Sequence, residues 1–227
     1  MRSGAARGHE GYFHETAFYG SDEEFLAVVM PFLVDGAAAG EPTLVSCGPA
    51  NEKLLRAELG DSADGITYLT TGDQYARPTS AIKRYREVFG DLAASGAAQI
   101  RAVGDVPHPG VGVPWDWWGR YEAVINHAFD DLPLWSLCPY DTRTAPAHVL
   151  ADAERAHPRV ATADGRHVAN ARFRNPADFH TARPRPLPDA LESHSPSLVL
   201  LDPAPVLVRR AVRQATACTT LTEDEAD

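Results

Sequence analysis

The sequence predicts an α/β protein with a mostly parallel sheet flanked by helices. Short apolar runs at residues 42–47, 66–69, 99–106 and 134–141 alternate with amphipathic stretches of helical length. That alternation is the signature of βαβ units. The run 134–141, Leu-Trp-Ser-Leu-Cys-Pro-Tyr-Asp, has almost no polar interruption, as a parallel strand covered on both faces should. With 227 residues and 44% hydrophobic content, the chain can bury the core of one large domain.

The first helix is announced by Ser21, with Glu24 three residues on, a capping-box spacing. Phe25, Val28, Val29, Phe32 and Leu33 then follow the period of a helix on a core. Pro31 should kink or divide it, and Gly36 and Gly40 should end it. Residues 42–47 read as a strand, Gly48-Pro49 as a turn, and Asn51 as the cap of a helix through Leu59. Residues 66–69 form the next strand, 79–94 a helix with Ile82, Tyr85, Val88, Phe89 and Leu92 on one face, and 99–106 a strand ending in Gly104-Asp105. A Pro/Gly loop over 107–114 leads to a helix over 115–129. The strand from Leu134 should stop at Pro139, which has no N–H for a neighbour. A helix over 146–156 follows, then a hairpin within 160–173 near the sheet edge. Residues 174–196, rich in Pro, Arg, His and Ser, read as a linker; 197–201 as a small strand; 203–217 as a helix; and 222–227 as a helix start.

Charge narrows the partners. Against 21 basic residues stand 31 acidic ones, a net charge of −10, which disfavours nucleic acid and anionic membranes. No run of about 18 apolar residues is present to span a bilayer. No apolar core of signal-peptide length follows the N-terminus. Three widely spaced cysteines, Cys47, Cys138 and Cys218, suit reduced thiols in the cytoplasm better than a secreted disulfide framework.

Chemistry is suggested at a few places. The turn at 47–53 sits where a nucleotide-binding domain carries its phosphate loop, yet Lys53 is followed by Leu54 and preceded by Glu52, without the Walker glycines. An ordinary capped helix is the better reading. Cys138 is a candidate nucleophile only with a histidine base in reach; packing is the plainer role. His9 and His14 miss the zinc spacing of His-Glu-x-x-His by one residue, and a site from His14, His127 and Cys138 would need a tertiary coincidence, so no metal is expected. Glu122 and Asn126, four apart, share a helix face, where a carboxylate is either a solvated rim group or a ligand anchor. Trp115, Trp117 and Trp118, with the 107–114 loop, suit either core packing or the cover of an apolar pocket.

Several segments, taken in order, resemble one known family. His14, Phe18-Tyr19, Ser21-Asp22-Glu23-Glu24-Phe25, Pro31-Phe32-Leu33, Gly36 and Ala39-Gly40-Glu41-Pro42 resemble the opening of the MEDS (methanogen/methylotroph, DcmR-type sensory) domain. Gly104-Asp105, residues 121–129, Leu137-Cys138-Pro139-Tyr140-Asp141 and His157-Pro158 resemble its second half. Asp105 stands where that pattern has glutamate. The resemblance implies a RecA/KaiC-like fold with a degenerate nucleotide loop that senses small apolar or hydrocarbon-like ligands in signalling and transcription regulators. Residues 197–227 are similar to the start of an anti-sigma-factor-type kinase ATPase domain; its Asn-bearing ATP helix and glycine-rich lid are absent, so no ATP hydrolysis is expected.

The sequence therefore predicts a sensory domain over residues 11–173, a linker over 174–196 and an ATPase-like fragment over 197–227. It predicts a cytoplasmic, non-catalytic domain with no cofactor that binds a small molecule at the carboxyl edge of its sheet and acts on a regulatory protein partner. The expected lining is His14, Tyr19, Asp105, Trp115, Glu122, Cys138, Tyr140 and Asp141. Two rivals stand beside it: a hydrolase or transferase using Cys138, and a ligand-independent interaction module acting through the 203–217 helix.

Overall fold

A computed structural model describes residues 1–60, 64–69, 77–181, 195–196 and 198–217. Two compact units divide the chain, residues 1–183 and 184–227. Among the described residues the first holds seven strands: β1 (Phe13–Tyr19), β2 (Thr43–Ser46), β3 (Ile66–Tyr68), β4 (Ile100–Gly104), β5 (Leu134–Asp141), β6 (Arg159–Ala161) and β7 (His167–Ala169). Its helices are α1 (Asp22–Ala38), α2 (Pro49–Leu59), α3 (Pro78–Ala94), α4 (Asp116–Ala128), α5 (Ala147–Ala156) and α6 (Pro176–Thr181). The strands form one sheet in the order β3-β2-β4-β5-β1-β6-β7. Every pair is parallel except the edge hairpin β6–β7. The α/β fold expected from the alternation is thus present, hairpin included.

The order of the strands fixes which face each helix covers. The crossovers leaving β1 and β2 run toward the β3 edge; those leaving β3, β4 and β5 run the opposite way. Since βαβ crossovers are right-handed, opposite directions place the helices on opposite faces. Phe25, Val29 and Leu33 of α1 and Leu55 and Leu59 of α2 accordingly pack with Phe13, Val45, Trp135 and Leu137. Tyr85 and Phe89 of α3, Tyr121 and Ile125 of α4 and Val149 and Ala153 of α5 pack with Ile100, Leu134, Cys138 and Tyr140. Residues 134–140 of β5 are all buried, which is why that run reads as continuously apolar.

Three local expectations give way. Strand β5 continues through Pro139 to Asp141, paired to β1 from Trp135 to Asp141 but to β4 only from Leu134 to Leu137. Beyond Leu137 one side of β5 has no ladder, and a residue without an N–H is tolerated there. Helix α1 continues through Pro31, which faces solvent together with Ala27, so water can take the carbonyl that the proline leaves unpaired. Gly36 lies inside α1 rather than ending it; a Cβ there would stand 2.6 Å from Thr43 Oγ1 and 2.7 Å from Arg101 Cδ. The expected cap of α1 is present: Ser21 Oγ accepts the Glu24 N–H at 3.2 Å, while Glu24 reaches back to the Gly20 N–H at 2.6 Å.

The amino ends of the strands carry a buried polar network. Arg101 of β4 donates to Glu41 at 2.7 Å and to the Phe32 carbonyl at 2.7 Å, with its guanidinium over the Trp135 ring. Gln99 donates to Glu41 at 2.8 Å and accepts from Arg2 at 2.8 Å. Arg2 also donates to the Leu134 carbonyl at 2.9 Å, tying the first residues of the chain to the centre of the sheet.

The linker reading is corrected over residues 176–181. Asn175 Oδ1 accepts the Asp178 N–H at 3.0 Å and caps α6, and Phe179 packs on Ala123 and Ala156. In the second unit the expected helix is present as α7 (Pro205–Thr216), whereas residues 198–201 form no strand and have no strand partner among the described residues. Ser197, Cys218, the 222–227 helix start and linker residues 182–194 lie outside the described residues. Among the described residues no helix is long and apolar enough to cross a membrane.

Candidate functional site

The crossovers leaving the adjacent strands β2 and β4 depart in opposite directions, and such a reversal opens a crevice at the carboxyl ends of a parallel sheet. A cavity of about 550 Å³ occupies that edge. Its polar wall is Tyr19, Asn51, Asp105, His108, Asp141 and Thr144; Val106, Val111, Val113 and Pro139 supply apolar surface. Pro107, His108, Val111 and Val113 of the 107–114 loop line this cavity, whereas no residue of the Trp115–Trp118 cluster does.

Asp105 latches the two sides of the crevice. Its Oδ2 accepts the Gly48 N–H at 3.1 Å and the Asn51 side-chain amide at 2.9 Å. Asn51 was expected to cap α2; the cap is Gly48, and Asn51 spends its amide on Asp105 and on the Tyr19 hydroxyl at 3.0 Å. The Gly48 N–H opens α2, where a nucleotide-binding fold would seat a phosphate. Here the chain's own carboxylate takes it. Asp105 Oδ1 is sealed from water and meets no N–H or O–H donor among the described residues. Burial pushes the Asp105 carboxyl up to about 6, against the opposing hydrogen bonds from Asn51, Gly48 and the Cys47 thiol. Partial burial raises Asp141 as well, but hydrogen bonds from Arg143 outweigh it and hold Asp141 below the usual carboxylate range. Burial lowers His108, whose Nδ1 accepts the Gly110 N–H at 3.1 Å.

A second group lies within the core, under α4 and the end of α5. His14 of β1, Cys138 of β5, Glu122 of α4 and His157 bring one ligand-type atom each to within 4.8 Å of one another, all four buried. Parallel pairing explains half of this: His14 and Cys138 both point to the α3–α5 face because Thr16 is the register partner of Cys138 and side chains alternate. Glu122 Oε1 accepts the Tyr140 hydroxyl at 3.0 Å. Glu122 Oε2 lies 3.1 Å from His157 Nε2 and 3.6 Å from His14 Nε2. Burial, then the neighbouring His157, hold His14 well below its ordinary pKa. Burial, then the Glu122 charge, push the Cys138 thiol well above its ordinary range. A thiol held protonated and away from solvent is a poor nucleophile. Cys138 also lines an apolar cavity of about 50 Å³, much too small for a drug-sized molecule.

The eight predicted lining residues thus separate. Tyr19, Asp105 and Asp141 meet at the cavity. His14, Glu122, Cys138 and Tyr140 form the core group. Trp115 lines neither: its indole N–H donates to Asp152 at 2.9 Å and its ring meets Tyr140 edge-on. His127, considered for zinc, is exposed on α4 and takes no part in the core group. Asn51, His108 and His157 were missed as site residues. Asn51 and His108 carried a signal, since each follows a strand end by a few residues, where the loops of this fold converge. His157 had none of its own; only the return of α5 beside β1 brings it in.

Comparison with curated proteins and with solved structures finds no match to this chain. The model of one family, the MEthanogen/methylotroph, DcmR Sensory domain, matches residues 13–158, from the first residue of β1 to the residue before β6. That span holds the whole crevice and all four members of the core group. With well over half its length matched across both groups of residues, the chain belongs to the MEDS family of sensory domains.

Proposed function

We propose that this chain is the small-molecule-sensing part of a regulator in bacterial signalling or transcription control, and that it binds its ligand in the carboxyl-edge cavity without catalysis of its own. The observation that carries the reading is a cavity of about 550 Å³ at the carboxyl edge whose wall holds the buried Asp105, its Oδ1 without an N–H or O–H donor among the described residues and its carboxylate also met by the Cys47 thiol. A buried polar atom without a partner is uncommon and calls for one. The volume is that of a small-molecule site, apolar over most of its wall with a few convergent polar groups. The matching ligand has an apolar body for Val106, Val113 and Pro139 and one hydrogen-bond donor for Asp105. Because Asp105 bridges the start of α2 to the loop after β4, such a ligand would alter how the two sides of the crevice are held, the change a partner protein would read.

The Cys138 enzyme is disfavoured by the thiol's burial and raised pKa. The test is thermal melting of the full chain with a panel of small apolar alcohols and amides, beside Val113→Trp, which fills the cavity. A ligand of the native state raises the midpoint, by about 2.7 kcal/mol of stability at a hundredfold excess over Kd. The midpoint should rise with at least one compound for the parent chain and stay put for Val113→Trp. A panel with no effect on the parent, or an equal effect on both, sinks the assignment.

A further inference from the structure

The core group beneath α4 has a defect that ordinary packing does not explain. Asn126 donates its amide N–H groups to the carbonyls of Ala156 at 2.8 Å, Ala123 at 3.1 Å and Glu122 at 3.2 Å. Its Oδ1 is thereby turned to His14 Nδ1 at 3.0 Å, so that nitrogen must be the donor. His157 Nδ1 lies 2.7 Å from the Ala153 carbonyl, which can only accept. With both protons committed to Nδ1, both Nε2 atoms present lone pairs. His14 Nε2 accepts the weak Cys138 S–H at 3.6 Å, and both Nε2 atoms also face Glu122 Oε2, itself an acceptor. Glu122 Oε2 and His157 Nε2 are sealed from water and have no hydrogen-bond partner among the described residues, though only 3.1 Å apart. Two lone pairs and a carboxylate oxygen facing one another in a dry core repel unless something positive lies among them.

We infer that His14 Nε2, His157 Nε2, Glu122 Oε2 and Cys138 Sγ together bind a divalent transition-metal ion of the zinc class. A tetrahedral ion with bonds of 2.0–2.3 Å sets its ligand atoms roughly 3.3–3.7 Å apart. The closest approaches here are 3.1 Å between Glu122 and His157, 3.6 Å between Glu122 and His14, and 3.6 Å between Cys138 and His14, all four atoms lying within 4.8 Å of one another, so the ion would draw the wider pairs together. Two borderline imidazoles and a soft thiolate beside one hard carboxylate suit zinc or cobalt and not magnesium or calcium. The outer contacts match as well: each histidine gives its other N–H to a carbonyl oxygen, which fixes the ring, and Tyr140 holds the second carboxylate oxygen. Binding would release the Cys138 proton to solvent. The inference is independent of whether the carboxyl-edge cavity takes a ligand.

The test loads the chelator-stripped full-length chain with cobalt(II) under reducing conditions, both directly and during refolding. One equivalent should bind and give a thiolate-to-cobalt charge-transfer band that zinc(II) abolishes by displacement. The band should persist in Cys47→Ala/Cys218→Ala, where Cys138 is the sole thiol, and in His127→Ala. Cys138→Ser should lose the band, and His157→Gln should bind at least 10-fold more weakly. Should Cys138→Ser or His157→Gln fail to fold, the double cysteine variant decides alone. A folded chain that takes up neither ion by either route, or a band absent from the double cysteine variant, overturns the assignment. In that case a proton shared between Glu122 and His157 is what resolves the repulsion.

Discussion

Asp105 answers to pH in the direction opposite to a surface carboxylate. Its pKa is about 6 in the folded chain, against an ordinary value of 3.8. The folded state therefore holds more protons than the unfolded one between those values, and stability falls as pH rises through that window. Asparagine in its place keeps an acceptor for Gly48 and Asn51 and removes the buried charge. Asp105→Asn is expected to raise stability at pH 7.5 by on the order of 1–2 kcal/mol and to change it little at pH 4. Urea melts of both proteins at the two pH values check this; a variant less stable at pH 7.5 would show that the charge itself holds the crevice together. At the same scale, the chemistry of the site residues was legible and their grouping was not. Tyr19 and Asp141 end their strands and Asp105 directly follows β4, so one edge gathers them. The partnership of Glu122 with His14 and His157 depends on which face α4 covers and where α5 returns, and no sequence spacing records either.

Glycine shows how far an element's sequence can be read without its neighbours. Gly36 in α1 and Gly90 in α3 look alike in sequence, each inside a helical stretch. At Gly36 a Cβ would run into Thr43 and Arg101; at Gly90 it would meet nothing within 4 Å. Alanine improves helix propensity by about 1 kcal/mol at either place. Overpacking costs about 1–3 kcal/mol where there is no room. Gly90→Ala should therefore raise the melting temperature and Gly36→Ala lower it, each by a few degrees in calorimetry; the same sign for both would refute the packing account. The element readings that failed share one cause. Gly36 and Pro139 were read as ends and Pro31 as a kink or division; none of them ends its element, and each is accommodated by what lies beside it: the Arg101 side chain, the end of β4, and solvent. Helix α6 was hidden in a polar, proline-rich stretch, although Asn175-Pro176 is a sound helix start.

Across the whole first unit, polar order is divided between the two ends of the sheet. The amino ends carry a closed network in which Arg2, Gln99, Glu41 and Arg101 satisfy one another. The carboxyl ends carry the cavity and an oxygen left over. Arg2 belongs to the structural end. Arg2→Ala leaves the Gln99 side-chain carbonyl and the Leu134 carbonyl without their donor, and should cost about 2–3 kcal/mol in urea unfolding, with little effect on any ligand of the cavity. A loss below about 0.5 kcal/mol would mean that the N-terminal residues merely lie on the surface.

The carboxylate at the start of α2 has one more consequence. A phosphate that visits a nucleotide fold arrives from solution and leaves again, whereas Asp105 is tethered to its seat by the chain itself. A tethered group competes at its effective concentration, commonly of millimolar order for short flexible links and higher when the scaffold is rigid. Free phosphates and nucleotides must outbid that local concentration before the Gly48 N–H is theirs. The crevice is in this sense self-occupied by an anion, leaving its vacant chemistry to molecules of another kind.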